Sequence, residues 1–223
     1  MTFNPASAIS ILDILASVEL PDKELILELG SQRYTSNGVM QAESTYDFYI
    51  KNGFKEYVAL DINDTKHTKK VDLNEPYKHE TQASLVTNIG TSEHCFDQGR
   101  IFETIHDCCK VGGVMFHHLP FAPWPNHGFY NYCPILFEAL AVANGYKTLF
   151  LKIGDREGNI SQLTFEQIVM ERGQKELEEL SRGQTRLFIY SAMQKTKDES
   201  FKKPFQKRYV PDIKDDAILQ RYT

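Results

Sequence analysis

Short apolar runs that each stop at a glycine, an aspartate, an asparagine or a histidine recur along this chain, with helix-like stretches between them. They are Glu24 to Leu29 closed by Gly30, Tyr57 to Leu60 closed by Asp61, Lys70-Val71 closed by Asp72, Ala83 to Thr87 closed by Asn88, and Val114 to His118 ahead of Pro120. Unbroken hydrophobicity, as opposed to alternation, marks a strand covered on both faces. Strands of that kind joined by helical crossovers make a parallel sheet with helices on both sides. The expected fold is therefore α/β: a doubly wound, mainly parallel, seven-stranded Rossmann-like sheet. Thr148 to Ile153 and Arg186 to Ala192 supply its last two strands.

Helix signals fill the gaps. Asn4 is a capping residue and Pro5 suits a first helical position, with Ile9, Leu12 and Ala16 at helical spacing and Pro21 as the stop. Val39 to Tyr49 reads as a second helix. Gln98 to Cys109 reads as a third, broken by Gly112-Gly113, and Pro134 to Asn144-Gly145 as a fourth. The α/β domain is expected over 1–194. A polar insert at 154–184, helical near Phe165 to Leu180, would separate the last two strands, either as a solvated surface helix or as a cap on the pocket or a dimer contact. Residues 195–223 would form a tail, draped on the surface or partly disordered.

Composition narrows the function. Apolar types make up 41% of the 223 residues and aromatic types 12%, enough for a packed core. The net charge of -5 lacks the positive field that nucleic-acid binders use, so no nucleic-acid partner is expected. No apolar run approaches the roughly 18 residues that cross a bilayer, and no membrane partner is expected. The first residues lack the basic segment of a secretory signal. Cys95, Cys108, Cys109 and Cys133 form no C-x-x-C pair, which suits unpaired thiols in a reducing cytoplasm.

In a doubly wound sheet the ligand sits beyond the carboxyl ends of the strands. Gly30 there permits a tight turn and close ligand approach, although the dinucleotide fingerprint G-x-G-x-x-G is absent. Asp61 ends the second strand, where a carboxylate can accept from both hydroxyls of a ribose; a solvated turn-capping role is the alternative. Asp72 could accept from an exocyclic amine with Leu73 packed on a ring, or could simply form an Asx turn. Asn88 and Gly90 leave room for a ligand at the fourth strand end. Glu93 and His94 lead into the next helix, where an acid suits the N-terminal dipole.

The segments LILELGSQ, YVALDIN, KKVDLNEP and ASLVTNIGTSEHCFDQGRIFETIHDCCKVGGVMFHHLP, in that order, resemble the class I S-adenosylmethionine-dependent methyltransferases. HGFYNYCPILFEALAVANGY is similar to bacterial small-molecule members. The resemblance implies S-adenosylmethionine as cofactor, a small-molecule methyl acceptor, and an antiparallel last strand. It implies that Gly30, Ser31 and Gln32 line the methionine portion, Asp61 holds the ribose, and Ile62 packs on adenine. Asp72 and Leu73 would bound the adenine edge, and Asn88 and Gly90 would lie beside the sulfonium. The first motif reads G-S-Q-R-Y where that family usually carries G-x-G-x-G.

Methyl transfer needs alignment, exclusion of water and sometimes a base, so no fixed catalytic motif is required. His117 and His127 are the candidate bases, with His118 beside the first. Trp124, Phe129, Tyr130 and Tyr132 are candidates for a pocket wall. Successive strand residues face opposite ways, so His117 and His118 cannot share one wall. The spacing H-H-x8-H matches no common zinc pattern, and no metal is expected. A nicotinamide-dependent oxidoreductase and a non-catalytic binding protein on the same fold are the rival readings.

Overall fold

The computed structural model describes residues 3–36, 38–155 and 186–222. One seven-stranded sheet organises them, in the order β5-β4-β1-β6-β7-β9-β8. The strands are β1 (Leu25–Leu29), β4 (Glu56–Asp61), β5 (Thr68–Lys70), β6 (Ala83–Ile89), β7 (Cys109–Ala122), β8 (Lys147–Gly154) and β9 (Leu187–Gln194). β5, β4, β1, β6 and β7 run parallel, and β9 lies antiparallel between β7 and β8. The expected doubly wound sheet with an antiparallel last strand is what forms.

Both faces are covered, which is why the strands read as unbroken apolar runs. On one face α3 (Gln98–Cys108) and α4 (Pro134–Asn144) pack through Ile101, Phe102, Ile105, Phe137 and Leu140 onto Leu25, Leu27, Leu29, Met115 and Leu119. On the other, α1 (Pro5–Ser17) and α2 (Tyr46–Lys51) pack through Ile11, Ile14 and Tyr49 onto Ile26, Leu85, Val114 and Phe116. Asn4 caps α1 by accepting from the Ser7 N–H at 3.0 Å. The buried residues of α1 are Ala6, Ser7, Ala8, Ser10, Ile11 and Ile14, whereas the expected Ile9 and Leu12 stand exposed, so the buried face is centred nearer Ile11.

Two expected elements differ. In place of a helix from Val39, β2 (Tyr34–Ser36) and β3 (Val39–Ala42) pair as an antiparallel hairpin, and α2 begins only at Tyr46. Asn37-Gly38 between two β-prone runs is a hairpin turn signal, and it outweighs the helical spacing that follows. Nor does a loop separate α3 from the fifth strand of the sheet, since β7 starts at Cys109 and runs straight through the two glycines.

The stretch after β9 is docked, not loose. The Lys195 ammonium is buried and donates to the carbonyls of His106 and Cys109 at 2.9 and 3.0 Å. The Asn144 side-chain amide at the end of α4 donates to the Lys202 carbonyl at 3.0 Å and accepts from the Lys202 N–H at 2.8 Å. The expected insert at 154–184 falls almost wholly outside the described residues. No described helix is long and apolar enough to cross a membrane.

Candidate functional site

Adjacent strands β1 and β4 end side by side, and their turns are bonded together. The Gly30 N–H donates to the Leu60 carbonyl at 2.7 Å, and the Ser31 N–H donates to Asp61 Oδ2 at 2.8 Å. Gly30 turns the chain at φ 72°, a conformation costly for any residue with a Cβ. A Cβ there would also overlap the Thr91 side chain, which reaches across from the end of β6. Thr91 Oγ1 donates to the Leu29 carbonyl at 2.7 Å and accepts from Gln32 Nε2 at 3.1 Å. So three strand ends are pinned at one point.

Beneath that turn lies Glu28, wholly buried in the middle of the sheet. Its carboxylate accepts from the hydroxyls of Tyr57, Thr45 and Tyr49 at 2.7, 2.7 and 3.2 Å, and from the Gln32 N–H at 3.3 Å. Burial pushes its carboxyl up to about 7, against the pull of those donors. Sequence reasoning passed over this residue, although a carboxylate inside an apolar strand is itself a signal that partners await it.

A cleft of about 720 Å³ opens in front of the β1 and β4 ends. Ser31, Gln32, Asp61, Asn63 and His67 line it, together with Glu43 beyond the hairpin and Tyr46 and Asp47 of α2. Asp61 Oδ1 accepts from the N–H and the amide of Asn63 at 2.8 and 3.2 Å. Ile62 follows with 64% of its surface exposed, and neither it nor Gly30 is among the residues that line the cleft.

The other expected residues do not line this cleft. Asp72 is exposed and closes an Asx turn on Asn74 at 2.9 Å, whose backbone bond holds its carboxyl below the usual range. Leu73 is buried in the core on the α3 face. Asn88 is buried, and its amide donates to Ser92 Oγ at 2.9 Å. Ser92 in turn bonds the Tyr132 hydroxyl at 2.8 Å, which donates to Gln98 Oε1 at 2.6 Å. Gly90 turns at φ 61°, its N–H donating to the His118 carbonyl at 3.0 Å.

The neighbouring histidines part as strand geometry requires. His117 faces α3 and α4, with Phe102 and Phe137 rings at 5.7 and 5.3 Å. His118 faces α1, sharing a 2.7 Å hydrogen bond with Ser7 Oγ and stacking on Tyr190 at 4.3 Å. Both are buried, and desolvation pulls both imidazoles down to about 3, so they are neutral core residues near neutral pH. His127 is different. It lies half-buried on the loop after β7, with its Nε2 at 3.4 Å from Glu93 Oε1. Glu93 is wholly buried in a 3-10 turn (Ser92–His94), short of the helix that begins at Gln98, and burial raises its carboxyl to about 7.

A second, smaller cavity of about 310 Å³ lies between α3, α4 and the docked tail. Its walls are Phe102, Tyr130, Tyr132, Leu136, Leu140 and Phe201, with Gln98 at the rim. Phe96 and Phe129 stand exposed nearby with rings 6.4 Å apart.

No protein-family model and no curated protein sequence matches the chain. Solved structures do match in shape. Geranyl diphosphate C-methyltransferase from Streptomyces coelicolor A3(2), crystallised with Mg2+, geranyl diphosphate and S-adenosylhomocysteine, superposes with a TM-score of 0.56 and 12% identity over 86% of this chain and 78% of that one. The StiE O-MT segment gives 0.56 and 12% over 86% and 75%. The 1,6-didemethyltoxoflavin-N1-methyltransferase of Burkholderia thailandensis, with its substrate and S-adenosylhomocysteine bound, gives 0.54 and 13% over 86% and 77%. The strand order, the antiparallel β9 and these superpositions agree: the chain has the fold of the S-adenosylmethionine-dependent methyltransferases.

Proposed function

We propose that this chain transfers a methyl group from S-adenosylmethionine to a small-molecule acceptor. The observation that carries the reading is the junction of Gly30, Ser31 and Asp61 at the ends of two adjacent parallel strands, open to a cleft of nucleoside size. Its place in a methyltransferase fold supports the reading further, as two of the superposed enzymes hold S-adenosylhomocysteine. The four free cysteines fit a reducing cytoplasm.

The residues present fit an adenosine. A carboxylate offers about four acceptor positions, and Asp61 uses three of them on Ser31 and Asn63. One is free for a ribose hydroxyl, and the exposed Asn63 amide, at 3.2 Å, swings off to free a second. Ile62 supplies an apolar surface for the base. Gly30 lets the turn fold tightly beneath the Thr91 side chain, which presents Ser31 and Gln32 to the cleft. S-adenosylmethionine bound there supplies a methyl group on a positively charged sulphur. Asp72, Leu73, Asn88 and Gly90 stand away from the cleft, and this reading gives them no direct contact with the cofactor. Asn88 acts through Ser92 and Tyr132, which hold the wall of the smaller, mostly apolar cavity. Of the two histidine candidates His127 is the more exposed, with its Nε2 turned toward Glu93.

Thermal unfolding with S-adenosylhomocysteine and with NAD, each in excess, tests the reading. Ligand that binds only the folded state raises the melting temperature by mass action. The expected outcome is a rise with S-adenosylhomocysteine and none with NAD. A rise with NAD alone would move the chain to nicotinamide chemistry, and no rise with either would leave a fold without its cofactor.

A further inference from the structure

Glu93 is the least satisfied side chain among the described residues. It is wholly buried, and neither carboxylate oxygen has a hydrogen-bond donor. Burying a carboxylate in that condition is costly unless a cation or a proton compensates it. What faces it is a pair of imidazoles. His127 Nε2 stands 3.4 Å from Glu93 Oε1, and His94 Nε2 stands 3.8 Å from the same oxygen. One ligand atom from each of the three side chains lies within 4.8 Å of the other two. His127 Nε2 has no hydrogen-bond partner either.

The surroundings hold this arrangement in place. The Phe129 N–H donates to the Glu93 carbonyl at 2.7 Å, bringing the loop after β7 back onto the turn after β6. Gly128 makes the closure possible, since a Cβ there would sit 2.7 Å from the Glu93 carbonyl oxygen. The His127 ring packs against Trp124 at 4.7 Å and against His94 at 5.0 Å, and Trp124 is fixed by its indole N–H to the Leu187 carbonyl at 2.8 Å.

We propose that Glu93, His94 and His127 bind a divalent first-row transition-metal ion such as Zn2+, through one carboxylate oxygen and two imidazole nitrogens. Ligands about 2.0–2.2 Å from a tetrahedral ion lie roughly 3.3–3.6 Å from one another. The Glu93–His127 pair already has that separation, and the His94 ring, whose ligand atom lies within 4.8 Å of both partners, must draw inward to complete the set. Two histidines and one carboxylate are the donor set of open transition-metal sites, with the remaining positions left for water or a substrate oxygen. His94 is 45% exposed, so the open side of the site faces outward. None of the three residues lines the β1–β4 cleft, so the inference stands whether or not that cleft takes S-adenosylmethionine.

Tag-free protein, stripped with a chelator and titrated with Co2+ and then Zn2+, tests the site. The expected result is one equivalent of Co2+ with visible d–d absorption, displaced by Zn2+. Glu93→Gln and His127→Ala should each weaken Zn2+ binding by more than the roughly 10–100-fold that disturbing a ligand's outer hydrogen bond costs. Glu93→Gln should also raise the melting temperature of the metal-free protein, because it removes a buried acid whose oxygens have no side-chain donor, and should abolish the rise that Zn2+ gives the wild type. That gain in stability separates a lost ligand from a misfolded variant. Failure to take up stoichiometric metal, equal Zn2+ affinity in wild type and Glu93→Gln, or a Co2+ spectrum with thiolate charge-transfer bands from Cys95 or Cys133 would each overturn the assignment.

Discussion

The Ser31 backbone N–H and the Asp61 carboxylate meet at 2.8 Å across the ends of two neighbouring strands. This bond gives Asp61 a structural task beside the one proposed for it, and the two tasks separate experimentally. Asp61→Ala should cost about 1 kcal/mol of stability through the lost bond to a half-exposed turn. Its effect on cofactor binding should be larger, because two charge-assisted hydrogen bonds to ribose hydroxyls contribute on the order of 1.5–3 kcal/mol each. Calorimetry with S-adenosylhomocysteine should therefore record at least a hundredfold loss of affinity, where about 2.7 kcal/mol is a factor of a hundred. Unchanged affinity would remove Asp61 from the cofactor clamp.

Gly30 and Thr91 form a matched pair. Gly30→Ala is expected to destabilise the protein by about 1–3 kcal/mol, through the positive φ and the overlap with the Thr91 side chain. Thr91→Ala in the same chain removes the overlapping atoms and leaves only the backbone strain, so the double variant should recover part of the loss. Urea unfolding of the two single variants and the double variant measures the coupling. Strictly additive losses would show that Thr91 does not constrain the turn.

How much of this was readable in advance follows from where each signal lies in the chain. The strand ends at Gly30, Asp61 and Asn88 were legible because fully buried strands leave continuous apolar runs with abrupt polar stops. The pairing of β2 with β3 is hidden because Val39 to Tyr49 has helical spacing, while the Asn37-Gly38 signal in the sequence is only two residues long. The histidines at 117, 118 and 127 stood out as a group by sequence proximity, yet each belongs to a different environment. Strand parity separates the first two, and the third is drawn to Glu93 by a loop closing over more than thirty positions. No local pattern encodes that closure. Its one trace in the sequence is Gly128, a residue small enough for two backbones to touch.

Glu28 should leave a mark on the pH dependence of stability. Burial raises its folded value to about 7 from an ordinary value of 4.5, so the folded state holds its proton where the unfolded state has released it. The contribution is full below the unfolded value and is lost as pH rises through the folded one. Glu28→Gln removes that titration. The stability of wild type minus variant should fall by about 1.4 kcal/mol per pH unit between roughly pH 5 and pH 7, then level off. Parallel denaturation profiles for the two proteins would mean that Glu28 is already ionised in its cage of tyrosine and threonine hydroxyls.

His117 should show the opposite sign. Desolvation holds its folded value at about 3 against an ordinary value of 6.5. Between these limits the unfolded chain binds a proton that the folded chain refuses, so the contribution is full above the unfolded value and is lost as pH falls. His117→Leu replaces a buried ring whose Nε2 has no partner by an apolar side chain of similar size, and leaves the Asn88 amide its bond to Ser92. Near neutral pH the substitution should change stability by less than about 1.5 kcal/mol. Relative to wild type the variant should then gain stability on acidification, on the order of 2 kcal/mol by about pH 5. The proposed methyl transfer should survive, because a neutral imidazole buried between Phe102 and Phe137 is not exposed to an acceptor. A variant that keeps its stability profile but loses turnover would reverse this assignment and return His117 to the reacting centre.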